Sequence, residues 1–280
     1  MIANPISRDA LLQVVKTLPA APRILSQLCE MLLDMTSDMD DFARLLKRDL
    51  AMTARLIRIS NSALYNSGHP HTSIEEALAC VGFMEVYRLT GFAAAAQLAD
   101  QHLPFYGVTG EQLRRNALVT ALLMEALAPT AQVDRRLAYT AGLLRSTGKI
   151  AFDRLARGLG QRPVLSGPDG DGLVLREMDF AGFSNADAAA VILGDWRFPT
   201  VIVEAIRDQY LIGQQSSPLA PLLNIAAAAA ERAGHGLPGE SRYLDFAVEK
   251  YLSARVNEPA VHEATLRALE TFEAVAALVA

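Results

Sequence analysis

The sequence predicts an all-α protein, and three observations carry that prediction. Hydrophobic residues make up 51% of the 280 residues and aromatics only 6%, so alanine and leucine, the best apolar helix formers, dominate the apolar material. Apolar residues recur at spacings of three and four along most of the chain, the period of a helix with one buried face. No stretch alternates apolar and polar residues long enough to build a sheet. The length exceeds that of a usual single domain, which leaves one large domain or two packed lobes open.

The elements follow in order. Leu11, Leu12, Val15 and Leu18 share a face between Ile6 and Leu18, and Pro19 ends that segment. Pro22 opens a second helix with Ile24, Leu25, Leu28, Met31 and Leu32 on one face. Asp38 reads as the N-cap of a third helix carrying Phe42, Leu45 and Leu46, and Asp49 as the cap of a fourth that ends near Asn61. On one continuous helix Arg44, Lys47, Arg48, Arg55 and Arg58 would form a basic stripe; the cap at Asp49 divides it, so these residues read as a solvated face. Ser73-Ile74-Glu75-Glu76 fits a capping box, in which the serine hydroxyl and the glutamate satisfy each other's backbone N–H groups. That helix carries Ala77, Leu78 and Val81 to Gly82, and an apolar stretch continues from Phe83 to Leu98.

Pro104 to Gly110 reads as a junction between lobes. Leu113, Ala117, Leu118, Ala121 and Leu122 define a helix that stops near Pro129, and Asp134 starts the next, which runs into Ala141–Ile150. Gly and Pro between Gly158 and Gly172 mark a surface loop. Helices follow at Ser184–Asp195, Thr200–Leu211 and from Pro218 to about Ala233. His235-Gly236-Leu237-Pro238-Gly239 is a break, and two amphipathic helices finish the chain.

Composition and motifs exclude several functions. A net charge of -5 argues against broad attraction to nucleic acid or anionic membranes. No apolar run approaches the ~20 residues of a membrane span, and Asn4, Pro5, Arg8 and Asp9 interrupt what a secretory signal would need. Cys29 and Cys80 form no C-x-x-C pair and read as free thiols of a cytoplasmic protein. His69 and His71 share a loop without cysteine or carboxylate support, a weak metal signal. Asp169-Gly170-Asp171-Gly172 looks like part of a calcium loop, but Leu173 and Phe180 stand where oxygen ligands are needed. Gly142 and Gly148-Lys149 echo a phosphate-binding loop with one residue too many between the glycines and Ile150 in place of Ser or Thr. No G-x-S-x-G elbow is present.

Several stretches together resemble the HDOD family, the HD-related output domains of bacterial signalling proteins. They are Leu18-Pro19-Ala20-Ala21-Pro22, Asp49 and Arg55, Asn61-Ser62-Ala63, Thr72 to Ala77, Ala141-Gly142-Leu143-Leu144 with Gly148-Lys149, and Trp196-Arg197-Phe198-Pro199 before Glu204-Ala205-Ile206. The resemblance spans about residues 16 to 232. It implies an N-terminal helical lobe (residues 1–105), a lobe shaped like an HD phosphohydrolase (106–235) and C-terminal helices packed on it (236–280).

HD phosphohydrolases are named for a His-Asp pair that holds divalent metal together with further histidines and a distant aspartate. The metal lowers the pKa of a bound water so that it can attack phosphorus. By this resemblance the pair matches Arg145 and Ser146, the first histidine Asn116, a later one Asn185, and two adjacent ones Gln209 and Tyr210. The final aspartate falls in the run Ala226–Ala228. Arginine offers no lone pair and brings a fixed positive charge, and none of the five histidines lies at a ligand position. The expectation is therefore a protein with no catalytic residue, no metal and no cofactor.

The leading expectation is a non-catalytic signalling or regulatory protein that works through contact with a partner protein, with Arg55 and Arg58 as candidate contacts. The alternative is a sensor whose vacated metal cavity binds a nucleotide or other anion through Arg145, since guanidinium donates parallel hydrogen bonds to phosphate. Metal-dependent phosphohydrolysis ranks last. Neither nucleic acid nor membrane is expected as a partner, and self-association is left open. Trp196 reads as a packing residue before Pro199, and Asn61-Ser62 as a helix end whose side chains bond nearby backbone.

Overall fold

The computed structural model describes residues 8–15, 27, 30–31, 39–48, 50–62, 68–99, 102–158, 172–211 and 217–279. Most of the helix expected from Pro22, the caps Asp38 and Asp49, Cys29, Ala63 and the loop 159–171 lie outside these residues. Regular structure among the described residues is helical: α1 (Arg8–Val15), α2 (Met39–Leu46), α3 (Leu50–Ser60), α4 (Ile74–Val81), α5 (Phe83–Ala99), α6 (Gly110–Ala131) and α7 (Arg135–Leu144) come first. Next come α8 (Thr147–Gly158), α9 (Leu173–Ala181), α10 (Asn185–Asp195), α11 (Thr200–Arg207), α12 (Leu219–Ala230) with a π turn at Glu231–His235, α13 (Val248–Ala254) and α14 (Glu258–Val279). An isolated antiparallel bridge, Leu103 to Val108, closes the turn between α5 and α6. Among the described residues no helix is long and apolar enough to cross a membrane.

Local chemistry sets the helix starts. At α4 the Ser73 hydroxyl accepts from the Glu76 N–H at 3.1 Å, and the Glu76 carboxylate accepts from the Ser73 N–H at 3.1 Å. Ser184 and Asp187 form a second capping box at α10, Thr109 and Gln112 a third at α6, and Asp134 caps α7. Pro129 does not end α6, which continues to Ala131. The missing N–H of proline is tolerated in this last turn, where the left-handed Gln132 closes the helix onto Ala128 and Pro129. Gly82, at φ 84°, separates α4 from α5. α2 and α3 are separate helices, so the basic stripe is broken; Arg44 pairs with Asp41 and Lys47 with Glu75. The Asn61 amide closes the loop that follows α3: its Nδ2 donates to the carbonyls of Ile57 and His71, and its Oδ1 accepts the His71 N–H at 2.7 Å.

The central element is α6, buried along most of its length and in contact with α5, α7, α12 and α14. Two glycines fix how the layers meet. At Gly142 on α7 a Cβ would stand 2.6 Å from the Cα of Ala121 on α6, and at Gly148 on α8 it would collide with the Asn185 carbonyl on α10. These close approaches account for the glycines that echo a phosphate-binding loop, and they draw α7, α8 and α10 around one point. α1 is first in sequence yet packs on α8 and α10, with Leu11 buried against Ala151, Leu155, Ala188 and Ile192. Trp196 caps the end of α10 and packs half-buried against the core.

Candidate functional site

Arg145 and Ser146 form the turn between α7 and α8, and the point they occupy is filled with charge. Arg145 is buried, as are Lys149 one turn into α8 and Glu240 on the irregular segment that follows the π turn. Arg145 Nη2 donates to Glu240 Oε2 at 2.9 Å, and Lys149 Nζ donates to Glu240 Oε1 at 2.5 Å. The Tyr210 hydroxyl donates to the same Oε1 at 2.7 Å. One carboxylate is thus gripped by two cations and a phenol.

A second ring of amides holds the cations. Arg145 Nη1 donates to Asn116 Oδ1 at 2.9 Å and Nε to Gln209 Oε1 at 3.1 Å. Lys149 Nζ reaches Asn185 Oδ1 at 3.3 Å and the Tyr210 oxygen at 3.0 Å. The amides are anchored in turn: Asn116 donates to the His235 carbonyl, Gln209 to the carbonyls of Ile206 and Arg145, and Asn185 to Glu177. Glu177 also accepts from the buried Tyr106 hydroxyl at 2.7 Å. Such completeness is what burial of charge requires.

Electrostatics follows from the geometry. Burial pushes the Glu240 carboxyl up, but Arg145 and Lys149 outweigh it and hold the group down at about 2. Burial pulls the Lys149 ammonium down, and Glu240 more than reverses this, so the group titrates above its ordinary value; Arg145 shifts the same way. Burial and then the Glu240 charge raise Tyr210 to about 12. Glu177 is raised, since burial exceeds the help it receives from Lys149 and its hydrogen bonds.

Five of the positions matched to metal ligands, Asn116, Arg145, Asn185, Gln209 and Tyr210, meet here. Ser146 is buried beside them, and among the described residues its hydroxyl has no hydrogen-bond partner. In the run matched to the final aspartate, Ala227 and Ala228 pack against Leu244. Asn224, earlier on α12, provides the polar contacts there, donating to the carbonyls of Gln209 and Tyr243 and accepting from Lys250. Arg145 does not face an open cavity, because Glu240 lies against it. Arg58 is exposed on α3, apart from this cluster, and the Arg55 side chain lies outside the described residues. His71 directs Nδ1 toward the Ser60 carbonyl at 3.2 Å, and His69 is exposed.

The donor set does not fit a divalent cation. Metal sites of this kind need several imidazole or carboxylate lone pairs. Here the lone pairs of Glu240, the one carboxylate at the centre, are committed to Arg145, Lys149 and Tyr210, and the two fixed positive charges would repel the ion. Among the described residues no group of three His, Cys, Asp or Glu side chains is arranged to hold a metal.

The HDOD domain family matches residues 18–212. The chain belongs to the HDOD family. No curated protein matches it. Solved structures share its fold. A candidate phosphohydrolase from Shewanella amazonensis SB2B is 22% identical with a TM-score of 0.61, each chain covering 93% of the other. A candidate signal transduction protein from Marinobacter aquaeolei VT8 is 18% identical with a TM-score of 0.66, over 97% of this chain and 64% of that one. An HDOD domain protein of unknown function from Geobacter sulfurreducens is 19% identical with a TM-score of 0.61, over 94% and 90%. The HDOD match contains every residue of the charged cluster except Glu240, which lies beyond its end.

Sequence reasoning missed Glu240, Glu177 and the charge role of Lys149. Glu240 sits 95 residues from Arg145 in a Gly- and Pro-containing break, where an isolated acid looks like an ordinary solvated one. The available signal was Lys149 itself: a lysine close behind an arginine, in apolar helical surroundings, requires a buried acid from elsewhere.

Proposed function

We propose that this HDOD chain is a non-catalytic regulatory protein of cytoplasmic signal transduction that acts by binding a protein partner. One observation carries the reading: the Glu240 carboxylate is bound between Arg145 and Lys149 where, by the family resemblance, metal-dependent relatives keep their ligands. An internal ion cluster maintains the packing of α6, α7, α8 and α10 without a metal and leaves no activated water to attack phosphorus. What remains to the molecule is its surface, and Arg58 on α3 is the candidate contact that is exposed among the described residues.

The test is turnover of a phosphodiester such as bis(p-nitrophenyl) phosphate with Mg²⁺, Mn²⁺ or Zn²⁺ supplied in excess. The expected rate is that of buffer with metal alone. Turnover that rises with added metal and disappears with a chelator would contradict the proposal. Capture of partners from native cells by wild type and by Arg58→Glu tests the contact surface: Arg58→Glu is expected to lose a partner that wild type retains, and identical partner sets would remove this arginine from the surface.

A further inference from the structure

The cluster has the architecture of an anion site whose anion is supplied by the chain itself. Arg145, Lys149 and Tyr210 come from three separate parts of the fold and converge on one carboxylate. The two cations have anchors besides that carboxylate. Asn116 and Gln209 fix the guanidinium, and Asn185 holds the ammonium, so the donors stay aimed at the same point if Glu240 leaves.

The division along the chain is sharp. Asn116, Arg145, Lys149, Asn185, Gln209 and Tyr210 all lie within the HDOD match, and the acid alone lies beyond it. Glu240 sits between two anchors, Leu237 in the core and Tyr243, whose carbonyl accepts from Asn224 and Lys250. Pro238, Ser241 and Arg242 between those anchors are exposed, and Gly239 adopts φ 80°. Glu240 can therefore swing out by rearrangement of a few residues while the helices stay packed. Charge favours such an exchange. Two cations bond one carboxylate directly; Glu177, bonded to Asn185 and Tyr106, and Glu231 act on them only through space. A phosphate dianion matches two cations more closely than a carboxylate does, and a guanidinium beside an ammonium and a phenol suits its oxygens.

We propose that Arg145, Lys149 and Tyr210 form a binding site for a phosphate group, and that Glu240 is its internal occupant, displaced when a phosphate-bearing ligand enters. The proposal goes beyond the regulatory reading by giving it an input: exchange would move the segment that leads into α13, whose Val248 and Leu252 are exposed.

The experiment compares thermal unfolding and calorimetric titration of wild type and Glu240→Gln with inorganic phosphate, a nucleoside 5′-monophosphate and the matching nucleoside. Phosphate is expected to stabilise Glu240→Gln in a dose-dependent way and to bind wild type about tenfold or more weakly, because the internal carboxylate competes. Arg145→Ala in the Glu240→Gln background is expected to abolish the effect. Tighter binding of the monophosphate than of phosphate points to a nucleotide source, and equal binding to free phosphate; the bare nucleoside is expected not to bind. If Glu240→Gln folds only with phosphate present, that rescue supports the proposal. A folded Glu240→Gln indifferent to phosphate, or an unfolded one not rescued by it, overturns the proposal. In wild type, saturating phosphate should speed amide exchange across 239–242, and unchanged exchange would overturn displacement. Metal-dependent turnover would sink the regulatory reading and leave this one standing, so the two fail separately.

Discussion

Glu125 and Glu240 each hold two cations, and they differ in water. Glu125 on α6 is bonded by Arg88 at 2.7 Å and by Arg135 at 2.9 Å; Arg88 is 16% exposed and Arg135 53%. Glu240 is bonded by Arg145 and Lys149 at similar distances, with all three side chains essentially unexposed. In the first cluster solvent shares the charge, and each pair adds little. In the second nothing but the partners compensates the charge, so the cluster is far more costly to break than it was favourable to assemble. The same contact chemistry is a partly hydrated clasp in one place and a fully desolvated one in the other.

The largest expected effect comes from breaking the buried cluster. Glu240→Gln leaves two desolvated cations with a neutral amide and is expected to lower stability by about 3–5 kcal/mol, read by urea denaturation in phosphate-free buffer. A loss no greater than that of Glu125→Gln would erase the distinction between the two sites.

Acid provides the next test. The Glu240 carboxyl is held at about 2 in the folded protein against 4.5 ordinarily, so between these values the unfolded chain binds the extra proton. Stability from this group is complete above the ordinary value and is lost as pH falls toward 2. Glu177, raised by burial, works the other way: its protonation favours the folded state and offsets part of the loss. Urea midpoints between about pH 5 and 2 should fall more steeply for wild type than for Glu240→Gln, and parallel curves would contradict the assignment.

Glu125→Gln should cost about 1–3 kcal/mol, since the acid itself is buried while its cations keep access to water. The smallest effect belongs to Arg135→Ala, about 0–1 kcal/mol and reduced further in high salt. A salt-independent loss above that range would mean the outer cluster behaves like the inner one.

The fold was legible because its signals are local. Ser73 with Glu76, Asp134, and Ser184 with Asp187 mark helix starts through bonds that span two or three residues. Five members of the site were legible only through the family resemblance, which assigned Asn116, Arg145, Asn185, Gln209 and Tyr210 to one place without saying what holds them. Glu240 was not legible. Its burial depends on Leu237 and Tyr243 anchoring a loop from the far end of the chain, and no nearby residue announces that a single acid will be desolvated. Gly148 shows the same limit. Its spacing ruled out a phosphate-binding loop without saying what the glycine is for, and the Asn185 carbonyl against it supplies the reason, a close approach of α8 to α10.

Charge internal to the chain stands at the positions that, by the family resemblance, match the metal ligands of HD phosphohydrolases. Titrating wild type with Mn²⁺ and following the free-ion electron paramagnetic resonance signal tests it most directly. The signal is expected to grow as it does in buffer, with Glu240→Gln behaving alike. A signal suppressed until one equivalent of Mn²⁺ has been added, and restored in full by Glu240→Gln, would contradict it.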